Sequence, residues 1–171
     1  MTNERTELQS IEALRDRIAN VSSGLVTFDG CMHVGKSETA RRIAHAFGYL
    51  ALDLDSFLVK QQGVFFQALR LPDFSSALAD ALSRSQVVLV SGVCMLRVLE
   101  AIGLRAALSV YVRRLSPMGI PIDLETTDAE DGAPFAEDYP DIPAIFREVH
   151  AYHAKYRPLA NADICYKWSS D

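Results

Sequence analysis

The sequence has only three cysteines, at positions 31, 94 and 165, far apart and odd in number. They offer neither a disulfide framework nor a zinc or redox spacing, and they suit a reducing cytoplasm. No apolar run approaches the ~20 residues of a membrane-spanning helix, which argues against a membrane partner. A basic excess is also missing. With 17 Lys and Arg against 22 Asp and Glu, the formal net charge is −5, which speaks against a protein that coats nucleic acid. The opening MTNERTELQS is charged and lacks the apolar core of a signal peptide. No internal repeats stand out. Lys and Arg are absent between Arg114 and Arg147, an interval that holds Asp123, Glu125, Asp128, Glu130, Asp131, Glu137, Asp138 and Asp141.

What is present is a chain of 171 residues, 49% hydrophobic, long enough to bury a core as one domain over 1–171. Its most informative stretch is GCMHVGKS, Gly30 to Ser37, which reads G-x-x-x-x-G-K-[ST]. The apolar run Leu25–Phe28 enters it, and a helix-period segment, Glu38 to Phe47, leaves it. That is the strand–loop–helix setting of a phosphate-binding loop. In such a loop the amides of Gly30, Cys31, Met32, His33, Val34, Gly35, Lys36, Ser37 and Glu38 turn toward a polyphosphate. The helix N-terminus adds roughly half a positive charge. Lys36 would reach the β- and γ-phosphates of a nucleotide such as ATP, and the Ser37 hydroxyl would ligate Mg²⁺.

The remaining pattern is strand alternating with helix. Leu8, Ile11, Leu14 and Ile18 predict an amphipathic helix within 1–22. Ala40, Ile43, Ala44 and Phe47 repeat the helical spacing, and Gly48 ends that helix. Further strands are expected at Tyr49–Leu54, Gln86–Val90, Ala107–Val112 and Ala162–Tyr166. Helices are expected near Ser75–Ser83, Cys94–Leu104 and Ala144–Tyr156. Residues 116–143, rich in Pro, Gly and carboxylates, read as an irregular acidic, lid-like excursion. Alternation of this kind means a parallel sheet covered on both faces, with ligands at the carboxyl ends of its strands. The loop, Asp53-Leu54-Asp55 and Ser91-Gly92 all follow strand ends.

VTFDGCMHVGKSETARRIAHAFGYLALDLDSFL, Val26 to Leu58, resembles the opening of P-loop small-molecule kinases and is similar to the uridine kinase and cytidylate kinase groups. Asp55-Ser56-Phe57 resembles the uridine kinase D-S-F segment, in which the aspartate sits at the acceptor hydroxyl. VVLVSGVCML, Val87 to Leu96, is similar to that group's third strand, and YRPLANADICY, Tyr156 to Tyr166, to its C-terminal segment. The resemblance implies a three-layer α/β/α P-loop NTPase fold. Its parallel sheet would have five strands, in the spatial order second, third, first, fourth, fifth. Two departures stand out. Ser91 occupies the place of the group's glutamate, and the arginines of a nucleotide kinase lid are missing.

The expected activity is an ATP- and Mg-dependent transfer to a hydroxyl, or to a phosphate, of a small polar metabolite resembling a nucleoside, a sugar or a cofactor precursor. A nucleotide-binding protein without catalysis is the first rival; a GTPase-type switch would need an N-K-x-D segment, and the nearest string, Asn161-Ala162-Asp163, lacks the lysine, while the acidic balance disfavours a polynucleotide-end kinase. Asp55 is the candidate to orient the acceptor and take its proton. Asp53, two residues earlier, would share its face in a strand and could hold metal or metal-bound water. Asp29 could cap loop amides. Within the loop, His33 reads as solvent-facing and Cys31 as a buried, inert thiol. Arg113 and Arg114 close the fourth strand, where one could stack on a base or clamp a phosphate. Lys155 and Arg157 could approach the nucleotide. His150, His153 and Glu148 lack the ligand set of a zinc site. Tyr139, Phe146, Tyr152 and Tyr156 read as core or lid packing. The acidic excursion would repel a triphosphate. It either covers a cationic or neutral acceptor or is a surface loop with no such task. A homodimer is compatible with the sequence.

Overall fold

The computed structural model describes residues 5–136 and 141–169. Its centre is a six-stranded, all-parallel sheet: β1 (Thr6–Leu8), β2 (Gly24–Asp29), β3 (Leu50–Asp53), β4 (Val87–Ser91), β5 (Leu108–Leu115) and β6 (Ile164–Ser169). The spatial order is β1-β6-β5-β2-β4-β3. This corrects the expected five-stranded sheet. A sixth strand, β1, lies along β6 with Thr6 opposite Ile164, and it alters the order by occupying an edge.

The predicted N-terminal helix is shorter than expected for the same reason. Thr6 donates its amide to the Asp163 carbonyl (3.1 Å), and Lys167 pairs with Glu7 (2.7 Å). Backbone partners supplied by a distant strand therefore override the local helical spacing. Ser10 then caps α1 (Ile11–Ala19) by accepting from the Ala13 amide, and Leu14 and Ile18 are buried.

α2 (Lys36–Phe47) follows β2 and α3 (Leu71–Arg84) follows β3. α4 (Met95–Ile102) follows β4, and α6 (Ala144–Tyr156) precedes β6. Right-handed crossovers place α1 and α2 on one face of the sheet and α3, α4 and α6 on the other. β4 lies between β2 and β3, and every one of its residues is buried, which explains its unbroken apolar run. The chain steps from β2 outward to β3, returns through β4, and then crosses to β5 on the far side of β2. That reversal opens a crevice at the carboxyl end of β2.

The described residues of 116–143 are more ordered than the sequence suggests. They hold a hairpin with Leu115 opposite Pro121, the single turn α5 (Leu124–Thr127) and a 3₁₀ turn at Asp128–Asp131. Two of their carboxylates fasten the fold. Asp123 pairs with Arg113, and Glu130 accepts the amides of Leu159 (2.8 Å) and Ala160 (2.9 Å). Those two amides belong to the short α7 (Pro158–Asn161). The expectations for Glu137, Asp138 and Tyr139 lie outside the described residues.

Candidate active site

The sharp turn from β2 into α2 is built on two glycines. Gly30 has φ +143°, and a Cβ there would sit 2.6 Å from the Val112 carbonyl oxygen. Gly35 has φ +86°, and a Cβ would lie 2.8 Å from Trp168 Cζ2. Only glycine combines that conformation with so close an approach. Trp168 also donates its indole N–H to the Val34 carbonyl (2.7 Å), so β6 buttresses the loop from behind. Gly35 is the N-cap of α2 and no side chain caps the helix. The first-turn amides therefore have no intrahelical partner and present positive potential to whatever enters.

Lys36 is buried beside this turn, and its ammonium donates to the Cys31 carbonyl. Burial pulls its pKa below the ordinary lysine value. The Asp29 carboxylate opposes that shift most strongly, with Asp55 and Asp53 also acting against it. Asp29 fulfils the capping expectation: it accepts the Gly30 amide (2.8 Å) and the Tyr152 hydroxyl. Burial lifts its pKa to about 6 in spite of those hydrogen bonds. Tyr152 in turn accepts the Leu96 amide (3.0 Å), which ties α4 and α6 to the base of the loop.

A cavity of about 460 Å³ opens over the loop. Met32, His33, Gly35, Lys36, Ser37 and Glu38 line one side, and Asp55, Leu58, Val64, Phe65, Gly92, Val93 and Ile145 complete it. The fold thus brings three separate strand ends into one cleft. None of the described residues of 116–143 lines it. Asp55 is solvent-accessible at this cleft. Its partial burial raises its pKa, Asp53 adds to the rise, and Lys36 opposes it.

Asp53 and Asp55 do not share a strand face as expected. β3 ends at Asp53, whose carboxylate accepts the Asp55 amide (3.0 Å) and caps a 3₁₀ turn, Leu54–Phe57. Asp53 instead lines a neighbouring depression with Ser37 and Ser91. There the Ser91 hydroxyl donates to the Ser37 hydroxyl (3.2 Å). This set of hydroxyl and carboxylate oxygens suits a hard cation that keeps several waters and most of its nucleotide ligands. Among the described residues no group of three His, Cys, Asp or Glu could hold a metal by itself.

The strand-closing arginines do not reach the cleft as expected. Arg113 is buried in an ion pair with Asp123 (2.8 Å) and donates to the Thr127 hydroxyl (3.1 Å). That pairing satisfies a buried guanidinium, so Arg113 secures α5 rather than facing a ligand. Arg114 lies over the Trp168 ring, 5.4 Å from its centroid. Lys155 stands over Tyr156, and Arg157 is 4.0 Å from Asp131. His33 is exposed, as expected. Cys31 is buried against the Tyr111 hydroxyl (3.6 Å), and burial pushes its thiol up to about 12.

Several contributors had no sequence signal. Tyr111 donates to His153 Nε2 (2.7 Å), because His153 Nδ1–H is directed to the Val149 carbonyl (2.8 Å). Burial lowers the pKa of that imidazole to about 4 and keeps it neutral. Glu148 accepts the amides of Phe65 (3.0 Å) and Phe66 (3.1 Å) and pairs with Arg97 (3.5 Å). Arg97 itself lies over the Phe66 ring at 3.9 Å.

No protein-family model matches the chain, and no curated protein matches it. A solved structure described as a possible uridine kinase from Bacillus stearothermophilus superposes with a TM-score of 0.59 at 12% identity. The match covers 91% of this chain and 96% of that one. A candidate fructose transport system kinase from a Silicibacter species matches over 96% of this chain and 100% of that one, at 15% identity and a TM-score of 0.48. At these identities the likeness is one of fold. The chain shares its three-layer architecture with the possible uridine kinase, whose group its phosphate-loop, Asp55-Ser56-Phe57 and C-terminal segments resemble.

Proposed function

We propose that this chain is an ATP- and Mg-dependent phosphotransferase acting on a hydroxyl of a small metabolite. One observation carries the reading. An uncapped helix N-terminus, a buried lysine and an accessible carboxylate meet in one cleft at the switch point of a parallel sheet. The loop amides and Lys36 would hold the β- and γ-phosphates and balance the charge that develops on them. Ser37, with Asp53 and Ser91 beside it, would hold Mg²⁺, which would supply neutralisation of the phosphate charge. Asp55 orients the acceptor hydroxyl and takes its proton as the new O–P bond forms and the bond to the leaving ADP breaks. Its raised pKa suits a base working nearer neutrality.

A second reading has its own support. Ser91, not a carboxylate, stands 3.2 Å from the Ser37 hydroxyl, as in a nucleotide-binding protein that has lost catalysis. ADP release measured across panels of alcohols separates the two. Acceptor-dependent ADP in step with product, absent in Asp55→Asn, supports the transferase. ATP binding with no ADP release from any acceptor supports the binding protein.

A further inference from the structure

The phosphate loop forms one wall of the cleft, and the opposite wall differs from it in kind. Leu58, Val64, Phe65, Val93 and Ile145 present apolar surface around Asp55. Among the described residues that line the cleft Lys36 is the only lysine or arginine, and it is engaged at the loop. The nearby arginines have other partners: Arg97 is held by Glu148 and Phe66, Arg70 by Asp73 (2.6 Å), and Arg41 by Glu38 (3.2 Å). Lys60, on the same loop as Val64, is exposed and does not line the cleft. The apolar wall is anchored at Phe65. Glu148, on α6, holds the amides of Phe65 and Phe66, and Arg97 clamps Phe66 from the other side.

We infer that the acceptor is an uncharged or cationic alcohol with an apolar body, and not a phosphorylated or carboxylated one. Binding an anionic acceptor beside a bound polyphosphate needs a cation on the acceptor side, because buried or crowded like charges repel. This cleft offers Asp55 there instead. The apolar wall supplies the contact area that a neutral body needs, and its anchorage at Phe65 lowers the ordering cost on binding. The inference rests on the phosphotransferase reading, since it assigns the acceptor half of that same cleft.

Three probes that share a benzyl body and carry a neutral, a cationic and an anionic head group test it: benzyl alcohol, benzylamine and benzyl phosphate. Each is titrated into the full chain saturated with the β,γ-imido analogue of ATP and Mg²⁺. The methyl resonances of Leu58, Val64, Val93 and Ile145 report binding. The expected result is that the alcohol and the amine shift these methyls, with the phosphate at least tenfold weaker. Val64→Lys, a change at an exposed position (42%), should narrow that gap several-fold by placing a cation in the wall. Benzyl phosphate binding as tightly as the alcohol, or all three leaving the methyls unmoved, would overturn the inference. So would an unchanged gap in Val64→Lys. Failure of the ATP analogue to bind at all would instead overturn the phosphotransferase reading. The three probes on the nucleotide-free chain would then still decide what the wall accepts.

Discussion

Replacing Asp29 by Asn should steepen the loss of stability on acidification, and replacing His153 by Gln should reverse it. Both groups lie below the phosphate loop, and burial moves them in opposite senses. Asp29 rises from 3.8 to about 6 and His153 falls from 6.5 to about 4. The Asp29 contribution is fully present below pH 3.8, because the folded state holds that proton more tightly, and it is lost as pH rises through 6. The His153 contribution is fully present above pH 6.5, where the imidazole is neutral in both states, and it is lost as pH falls through 4. At about 1.4 kcal/mol per pKa unit, each is worth about 3 kcal/mol across its window. Between pH 4 and 6 the two nearly cancel in the parent. Asp29→Asn removes the gain on acidification and leaves the His153 loss exposed, about 2 kcal/mol relative to the parent from pH 6 to pH 4. His153→Gln leaves a chain that gains a similar amount over the same interval. Urea unfolding followed by circular dichroism at pH 4, 5, 6 and 7 reads this directly. The slope difference between variant and parent is the quantity of interest, since lost hydrogen bonds lower the absolute stability of both variants and other carboxylates cancel in the difference. Parallel pH profiles for parent and variants would refute the argument.

Two further perturbations follow from the cleft. Glu148→Ala should free the Phe65 and Phe66 amides, with a cost of about 1.5–3 kcal/mol for hydrogen bonds to a charged acceptor. Hydrogen exchange at those two amides should accelerate roughly ten- to a hundredfold, Glu148→Gln should restore part of the protection, and unchanged exchange would count against the clamp. Asp55→Asn should lower acceptor-dependent ADP release by about a hundredfold or more while leaving ATP affinity within about twofold. In the parent, the acid limb of kcat/KM should fall at a pH above the ordinary aspartate range, given the upward shift at Asp55. An acid limb at the ordinary value, or an active Asn variant, would remove Asp55 from the role of base.

Much of this architecture could be read from local pattern. The phosphate loop announces itself because its chemistry requires glycines and Lys36 at fixed spacing within eight consecutive residues. β4 announces itself because a strand covered on both faces must be apolar throughout. What could not be read depends on distant partners. β1 is three residues long and lies inside a helical spacing, and only pairing with β6, over 150 positions away, makes it a strand. Asp29 and Tyr152 stand 123 positions apart, Tyr111 and His153 stand 42, and no short motif links either pair. Arg113 fitted the place of a lid arginine, yet Asp123, ten residues on, engages it at the base of α5. Asp53 and Asp55 were expected on one face, and the turn at Leu54 separated them.

Calorimetric titration of Mg·ATP into the parent and into Lys36→Ala tests the phosphate cradle most directly. Lys36 is a buried cation at an uncapped helix start, and removing a single donor of this kind costs about a hundredfold where charge is concentrated. The account predicts saturable binding by the parent at one site and a loss of at least tenfold in affinity in the variant. Equal affinities in the two proteins would contradict it.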